Sequence, residues 1–176
     1  MNARSAVLLT GFAVASTFVF TPPTHIASWG AQALAASASV GGRRLTCGTG
    51  KVIINNKMSA IGRASPSKRE IYLNLRRLRG YNRTFQQFVF LHECAHMYIV
   101  DESRADCWAI RRGLYRGLFS ARSVDSICKA LWNTPSGRYH FGGPNRCQHM
   151  KTCLATTKSN IKRRKVRRRK VRRRKK

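Results

Sequence analysis

Thr84-Phe85-Gln86-Gln87-Phe88-Val89-Phe90-Leu91-His92-Glu93-Cys94-Ala95-His96 is the stretch on which the reading of this chain turns. Phe85, Phe88, Val89, His92 and His96 recur at the spacing of one helical face, and Thr84 with Gln87 has the form of a capping box. A helix is therefore predicted to begin near Thr84. His92 and His96 lie only about 40° apart around such a helix and present both imidazoles to one point, which can hold a metal. Their stripe faces the core, where an unpaired imidazole pair is costly and a liganded pair is satisfied. His92 to His96 thus reads as H-E-x-x-H.

Downstream, four of the six acids in the chain (Glu93, Asp101, Glu102, Asp106) fall within fourteen residues, although the protein has 35 Lys or Arg. Asp101 is placed to cap a second helix reaching about Leu118, on which Glu102, Ala105, Asp106, Ala109 and Gly113 form one stripe. Apart from the two carboxylates this stripe is small, so the second helix can approach the first closely. Glu102 can then be a third metal ligand, and Asp106, one turn on, can accept the free ring N–H of a ligating histidine. Only Met97 to Asp101 separate His96 from Glu102. A continuous helix would turn Glu102 about 240° away from His96, so the chain must break near Ile99 to Asp101.

The flanks point to a mostly helical α+β domain. Lys51 to Asn55 and Glu70 to Leu75 are β-branched or aromatic in character and are predicted to form a small antiparallel pair across a turn-rich stretch with Gly62, Ser65, Pro66 and Ser67. Ser120 or Ser123 can cap a third helix reaching about Trp132, and Asn145 a last one ending near Cys153. Thr134 to Gly137 and Gly142 to Pro144 are the loops between them.

His92-Glu93-x-x-His96 followed by Glu102-x-x-Ala105-Asp106 resembles the gluzincin zinc metallopeptidases, whose pattern is HExxH and then ExxAD on a following helix, as in the heat-shock and prenyl-protein proteases. The resemblance covers roughly Lys51 to Leu118 and takes in Ile71 to Leu75, where such folds put an edge strand over the active-site cleft. It implies a minimal zincin-like domain in which His92, His96 and Glu102 bind Zn2+, Glu93 is the general base, and Asp106 steadies a ligating histidine. It also implies hydrolysis of a peptide or protein substrate. This chain departs from the family in the short link between its two helices. It has the spacing at which metzincins turn on a glycine, yet Ile99 stands there. Tyr98, Tyr139, His140 and His149 are candidate donors to an oxyanion by side-chain chemistry, and nothing in the sequence selects one. In the competing reading the histidines are core groups, the acids pair with Arg104, Arg111 and Arg112, and the protein is a non-catalytic polyanion binder with a structural HExxH site.

Charge and cysteine content set the context. The chain has 176 residues and a formal charge of +29, enough for one ordinary domain and too little for a multidomain machine. Residues 36–157 carry twenty cations and all six acids, and residues 158–176 carry fourteen cations and no acid, so body and tail each contribute +14. An apolar content of 43% excludes a wholly disordered basic protein. Residues 1–35 have the form of a secretory signal: Arg4, the apolar run Ala6 to Phe20, then Pro22-Pro23. Cleavage is expected near Ala35, with Ser28-Trp29-Gly30 and an uncleaved anchor as alternatives. Six cysteines in the remainder read as disulfides of an exported, monomeric protein, periplasmic, extracellular or attached to an envelope. Fifteen pairings are open. Cys94 with Cys107, flanking the ligands on facing helices, is the pair expected, and a metal knuckle from Cys147, His149 and Cys153 is disfavoured for want of a second ligand pair. Lys158 to Lys176 is expected to be a disordered, extended polybasic segment. It has no aromatic residue for base stacking, which argues against sequence-specific nucleic-acid recognition and for an anionic envelope surface or another polyanion.

Overall fold

The computed structural model describes residues 34–35, 37–48, 50–136 and 142–174, with the backbone alone for 34, 35 and 169–174. Among the described residues, six short strands precede five helices. The strands are β1 (Leu34–Ala35), β2 (Ser37–Val40), β3 (Arg43–Thr46), β4 (Lys51–Ile54), β5 (Gly62–Ser65) and β6 (Glu70–Leu73). The helices are α1 (Leu75–Leu78), α2 (Arg83–Ala95), α3 (Glu102–Tyr115), α4 (Ala121–Leu131) and α5 (Gly143–Arg174). The class is α+β and mostly helical, as the sequence implies. Most of the expected leader lies outside the described residues; its last two residues, Leu34 and Ala35, pair with Ile53 and Val52.

The two expected strands are neighbours, but they run parallel, with Val52 opposite Ile71 and Ile54 opposite Leu73. The reason is an extra strand in the stretch read as turns. β5 folds back on β6 through a turn at Pro66 to Arg69, closed by the Arg69 amide on the Pro66 carbonyl at 3.1 Å. That reversal brings β6 alongside β4 in the same direction, and the sheet order is β1-β4-β6-β5. Gly62-Arg63-Ala64-Ser65 has no β-branched or aromatic residue to mark it as a strand. In β6 the alternation is regular, with Ile71 and Leu73 buried and Tyr72 between them turned outward to Glu70.

α2 is the central element. Nine of its thirteen residues are buried, among them Phe85, Phe88, Phe90 and Leu91, because α3, α4 and strands of both sheets pack around it. Its cap is not the expected Thr84 and Gln87 box. Asn82 accepts from the Phe85 amide at 3.0 Å, while Gln87 reaches out of the helix and donates to the Gly41 carbonyl at 2.9 Å. α3 begins one residue after Asp101, which accepts from the Arg104 amide at 2.7 Å, and it buries Ala105, Asp106, Ala109, Ile110 and Gly113. The last of these serves a different neighbour from the one its stripe suggests: a Cβ at Gly113 would collide with the Phe119 ring. Ser120 and Ser123 form a reciprocal capping box on α4.

α5 differs from expectation in length. It starts at Gly143, before Asn145, and continues through the basic segment to Arg174 instead of ending near Cys153. After Pro144 the segment contains no Gly or Pro, and Lys and Arg are good helix formers. Among the described residues no helix is long and apolar enough to cross a membrane.

Three disulfides cross-link these elements, and none joins Cys94 to Cys107. Cys94 on α2 faces the strands and bonds Cys47, just after β3; Cys107 on α3 faces α5 and bonds Cys153; Cys128 on α4 bonds Cys147 on α5. The two cysteines flanking the expected ligands thus point away from each other, one to each side of the α2–α3 pair. Sequence separations of 47, 46 and 19 correspond to a loop-closure stabilisation of about 3–4 kcal/mol each.

Candidate metal centre

The turn after α2 builds the site. The Ala95 carbonyl accepts both the Tyr98 and the Ile99 amide at 3.0 Å, which ends the helix without a glycine. Nδ1 of His96 then donates to the Ile99 carbonyl at 2.8 Å, so the ring itself ties down the turn. Asp101 caps the next helix at once, and Glu102 emerges facing both histidines. The break falls where the spacing requires it.

Nε2 of His92 and Nε2 of His96 are 3.0 Å apart. Glu102 completes the triangle, with one carboxylate oxygen 3.2 Å from Nε2 of His92 and the other 3.3 Å from Nε2 of His96. His92, His96 and Glu102 are therefore a group able to hold a metal ion. The donor chemistry fits a cation. Nδ1 of His96 is occupied by the Ile99 carbonyl, and Nδ1 of His92 is buried 2.8 Å from an Asp106 oxygen, a close charge contact whose angle falls short of a hydrogen bond. With the ring protons on Nδ1, two Nε2 lone pairs and a carboxylate would face one small space, an arrangement of acceptors that a positive ion relieves.

The electrostatics agree with this arrangement. Burial disfavours charge on His92, but the Asp106 and Glu102 carboxylates outweigh it and raise its pKa to about 9. His96 is raised as well, chiefly by Glu102. Burial works against ionised Glu102 and Asp106, yet both are held below the usual carboxylate range, Glu102 by the two histidines and Asp106 by Arg146 and His92. Without an ion the cluster thus attracts protons; a metal would compete for the same lone pairs.

Arg146, near the start of α5, escaped the sequence reading. Its guanidinium grips Asp106 with two hydrogen bonds, 2.6 and 2.8 Å, and Asp106 is fully buried. A buried carboxylate in so basic a chain must find a cation, but with 35 Lys or Arg to choose from the sequence holds no signal for which.

Glu93 and the three clustered residues together line an open cleft of about 400 Å³, walled by Gly62, Arg63, Ala64 and Pro66 of the β5 hairpin and by Ile99 and Val100. Burial pushes the Glu93 carboxyl above the usual range, against the opposing pull of His92 and His96. β5 passes so close that a Cβ on Gly62 would stand 2.7 Å from Glu93. The edge strand over the cleft is therefore β5; Ile71 to Leu73, expected in that place, lie one strand further in.

Comparison with protein-family models, with curated proteins and with solved structures gave no match. What the site can do is therefore argued from its own residues. Of the expected oxyanion donors, Tyr98 is two-thirds exposed and does not line the cleft, and His149 is bonded to the Ser103 carbonyl at 3.0 Å. Tyr139 and His140 lie outside the described residues. Arg63 is the cleft-lining cation that the sequence reading did not single out.

Proposed function

We propose that this chain is an exported zinc metallopeptidase of minimal zincin type that hydrolyses peptide bonds in the cleft beneath β5. The observation that carries the reading is the convergence of two Nε2 atoms and the Glu102 carboxylate, with Nδ1 of His96 bonded to Ile99 and that of His92 close to Asp106, beside the partly buried carboxylate of Glu93. Two nitrogens and one carboxylate with an open side are the donor set of a catalytic zinc, which would supply Lewis acidity toward water and toward a peptide carbonyl.

The chain's own residues do the rest. Asp106, itself clamped by Arg146, fixes the ring of His92, and the Ile99 carbonyl fixes that of His96, so the ligands keep one orientation. Glu93 takes the proton of the attacking water and returns it to the departing amine; a carboxyl raised by burial is suited to both halves of that exchange. Among the described residues β5 is the outer strand of its sheet, so an extended peptide can add to its outer edge by main-chain hydrogen bonds and lie across the cleft.

Three disulfides support export. The basic end of α5 supports a polyanionic partner at the envelope. Ile161 and Val166 are five residues apart, which steps them about 140° around a helix, so they form no apolar stripe to bury in a bilayer. The cations from Lys158 to Arg168 are exposed, suiting attachment to anionic polymer or head groups from outside.

Glu93→Gln tests the reading. It removes the base and no ligand, so zinc should stay bound while hydrolysis of a casein-type substrate falls about a hundredfold or more. Unchanged turnover in the variant would remove Glu93 from the mechanism.

A further inference from the structure

On the opposite side of α3 from the cleft, the molecule repeats the architecture of its metal centre with softer ligands. His149 and Cys153 stand four apart on α5, as His92 and His96 do on α2, and Cys107 comes from the packed helix α3, as Glu102 does. One ligand atom from each of Cys107, His149 and Cys153 lies within 4.8 Å of the others. Nε2 of His149 is 3.7 Å from the Cys153 sulfur and donates to the Ser103 carbonyl at 3.0 Å. The knuckle set aside from the sequence drew on Cys147, which is bonded to Cys128; the third member here is Cys107, brought in by the fold.

We propose that Cys107, His149 and Cys153 form a second, redox-gated site, closed as a disulfide when oxidised and filled by a thiophilic cation of the zinc or copper(I) class when reduced. A dithiol reductant supplies two electrons and two protons, the Cys107–Cys153 bond breaks, and the reductant leaves as its own disulfide. The entering cation displaces the two thiol protons and binds both thiolates. His149 shifts its ring proton from Nε2 to Nδ1, gives up Ser103, and offers Nε2 as the third donor. Tetrahedral zinc with bonds of about 2.3 Å sets two sulfurs roughly 3.8 Å apart, so the sulfurs need to part by less than 2 Å from bonding distance. Side-chain rotation can supply that on a pair whose Cα atoms are 5.5 Å apart. Two thiolates balance a divalent charge.

The site has a structural consequence. α3 carries Glu102 and Asp106, and α5 carries Arg146, which holds Asp106. A disulfide in one redox state and a metal bridge in the other keep these two helices joined in both, so the support of the first centre survives a reducing environment.

The test uses the full chain and does not depend on peptidase activity. After reduction by a phosphine, titration with Co2+ should produce thiolate-to-cobalt charge-transfer absorption in the near ultraviolet saturating near one equivalent, with none in the oxidised protein; cobalt at His92, His96 and Glu102 has no sulfur and cannot give that band. His149→Ala should weaken it at least about tenfold in apparent affinity. In parallel, Zn2+ should protect Cys107 and Cys153 from alkylation while Cys47, Cys94, Cys128 and Cys147 are labelled, as read by peptide mapping. No band, a band unchanged in His149→Ala or in Cys107→Ser, or labelling equal at all six cysteines would each overturn the proposal; the last outcome covers a reduced chain that simply unfolds.

Discussion

Replacing Gly62 by alanine perturbs Glu93, the general base of the proposed mechanism, without touching a proposed zinc ligand. The new methyl group would lie 2.7 Å from both Cγ and an oxygen of Glu93, and relief to ordinary contact at 3.4–4 Å moves one partner by roughly 1 Å. β5 is held by its ladder to β6, with Gly62 opposite Leu73, so the Glu93 side chain is the part that yields. Crowding of this kind costs about 1–3 kcal/mol of stability. A catalytic group misplaced by about 1 Å loses on the order of a hundredfold in rate. Gly62→Ala should therefore keep full zinc content, lower the melting temperature modestly, and reduce kcat on a fluorogenic casein-type substrate about a hundredfold. Activity within about twofold of the parent, with the fold and zinc intact, would refute the placement of Glu93 against β5 or its role in the chemistry.

Two further outcomes follow from the supports of the site and from its charge. Arg146→Met leaves Asp106 with His92 as its remaining partner, and zinc affinity measured against a competing chelator should fall about 10- to 100-fold, with unfolding at lower denaturant; unchanged affinity would make the pair purely structural. Deleting residues 158–176 should remove most retention on anionic vesicles and flatten its salt dependence while leaving zinc content unchanged; an equal salt slope in both forms would assign docking to the body, which carries its own +14.

The two helices of the candidate site were legible because their signals are local. The 3.6-residue period from Phe85 to His96, Asp101 as a cap and the small stripe of α3 are properties of neighbouring residues, and the short link demanded a break near Ile99 that occurs there. What stayed hidden depends on long-range pairing. β5 carries no strand chemistry of its own and is a strand only because β6 offers it an edge; without it, the direction of β6 against β4 could not be read. Arg146 reaches Asp106 across 40 residues of sequence, and the cysteine pairs span 19 to 47. Helical phase correctly took Cys94 and Cys107 off the metal stripes, but phase alone does not say which neighbouring element each one meets. Asn82, two residues before Thr84, takes the cap, its carboxamide oxygen accepting from the Phe85 amide.

The central claim is that His92, His96 and Glu102 bind one zinc. Elemental analysis of the purified, oxidised full chain after dialysis against a weak chelator tests it most directly, with His96→Ala and Glu102→Ala beside the parent. The account predicts about one zinc per parent chain and less than about a tenth of that in either variant, since each loses one of only three protein ligands. Full occupancy in both variants, or a parent chain that retains no metal when zinc is supplied, would contradict it.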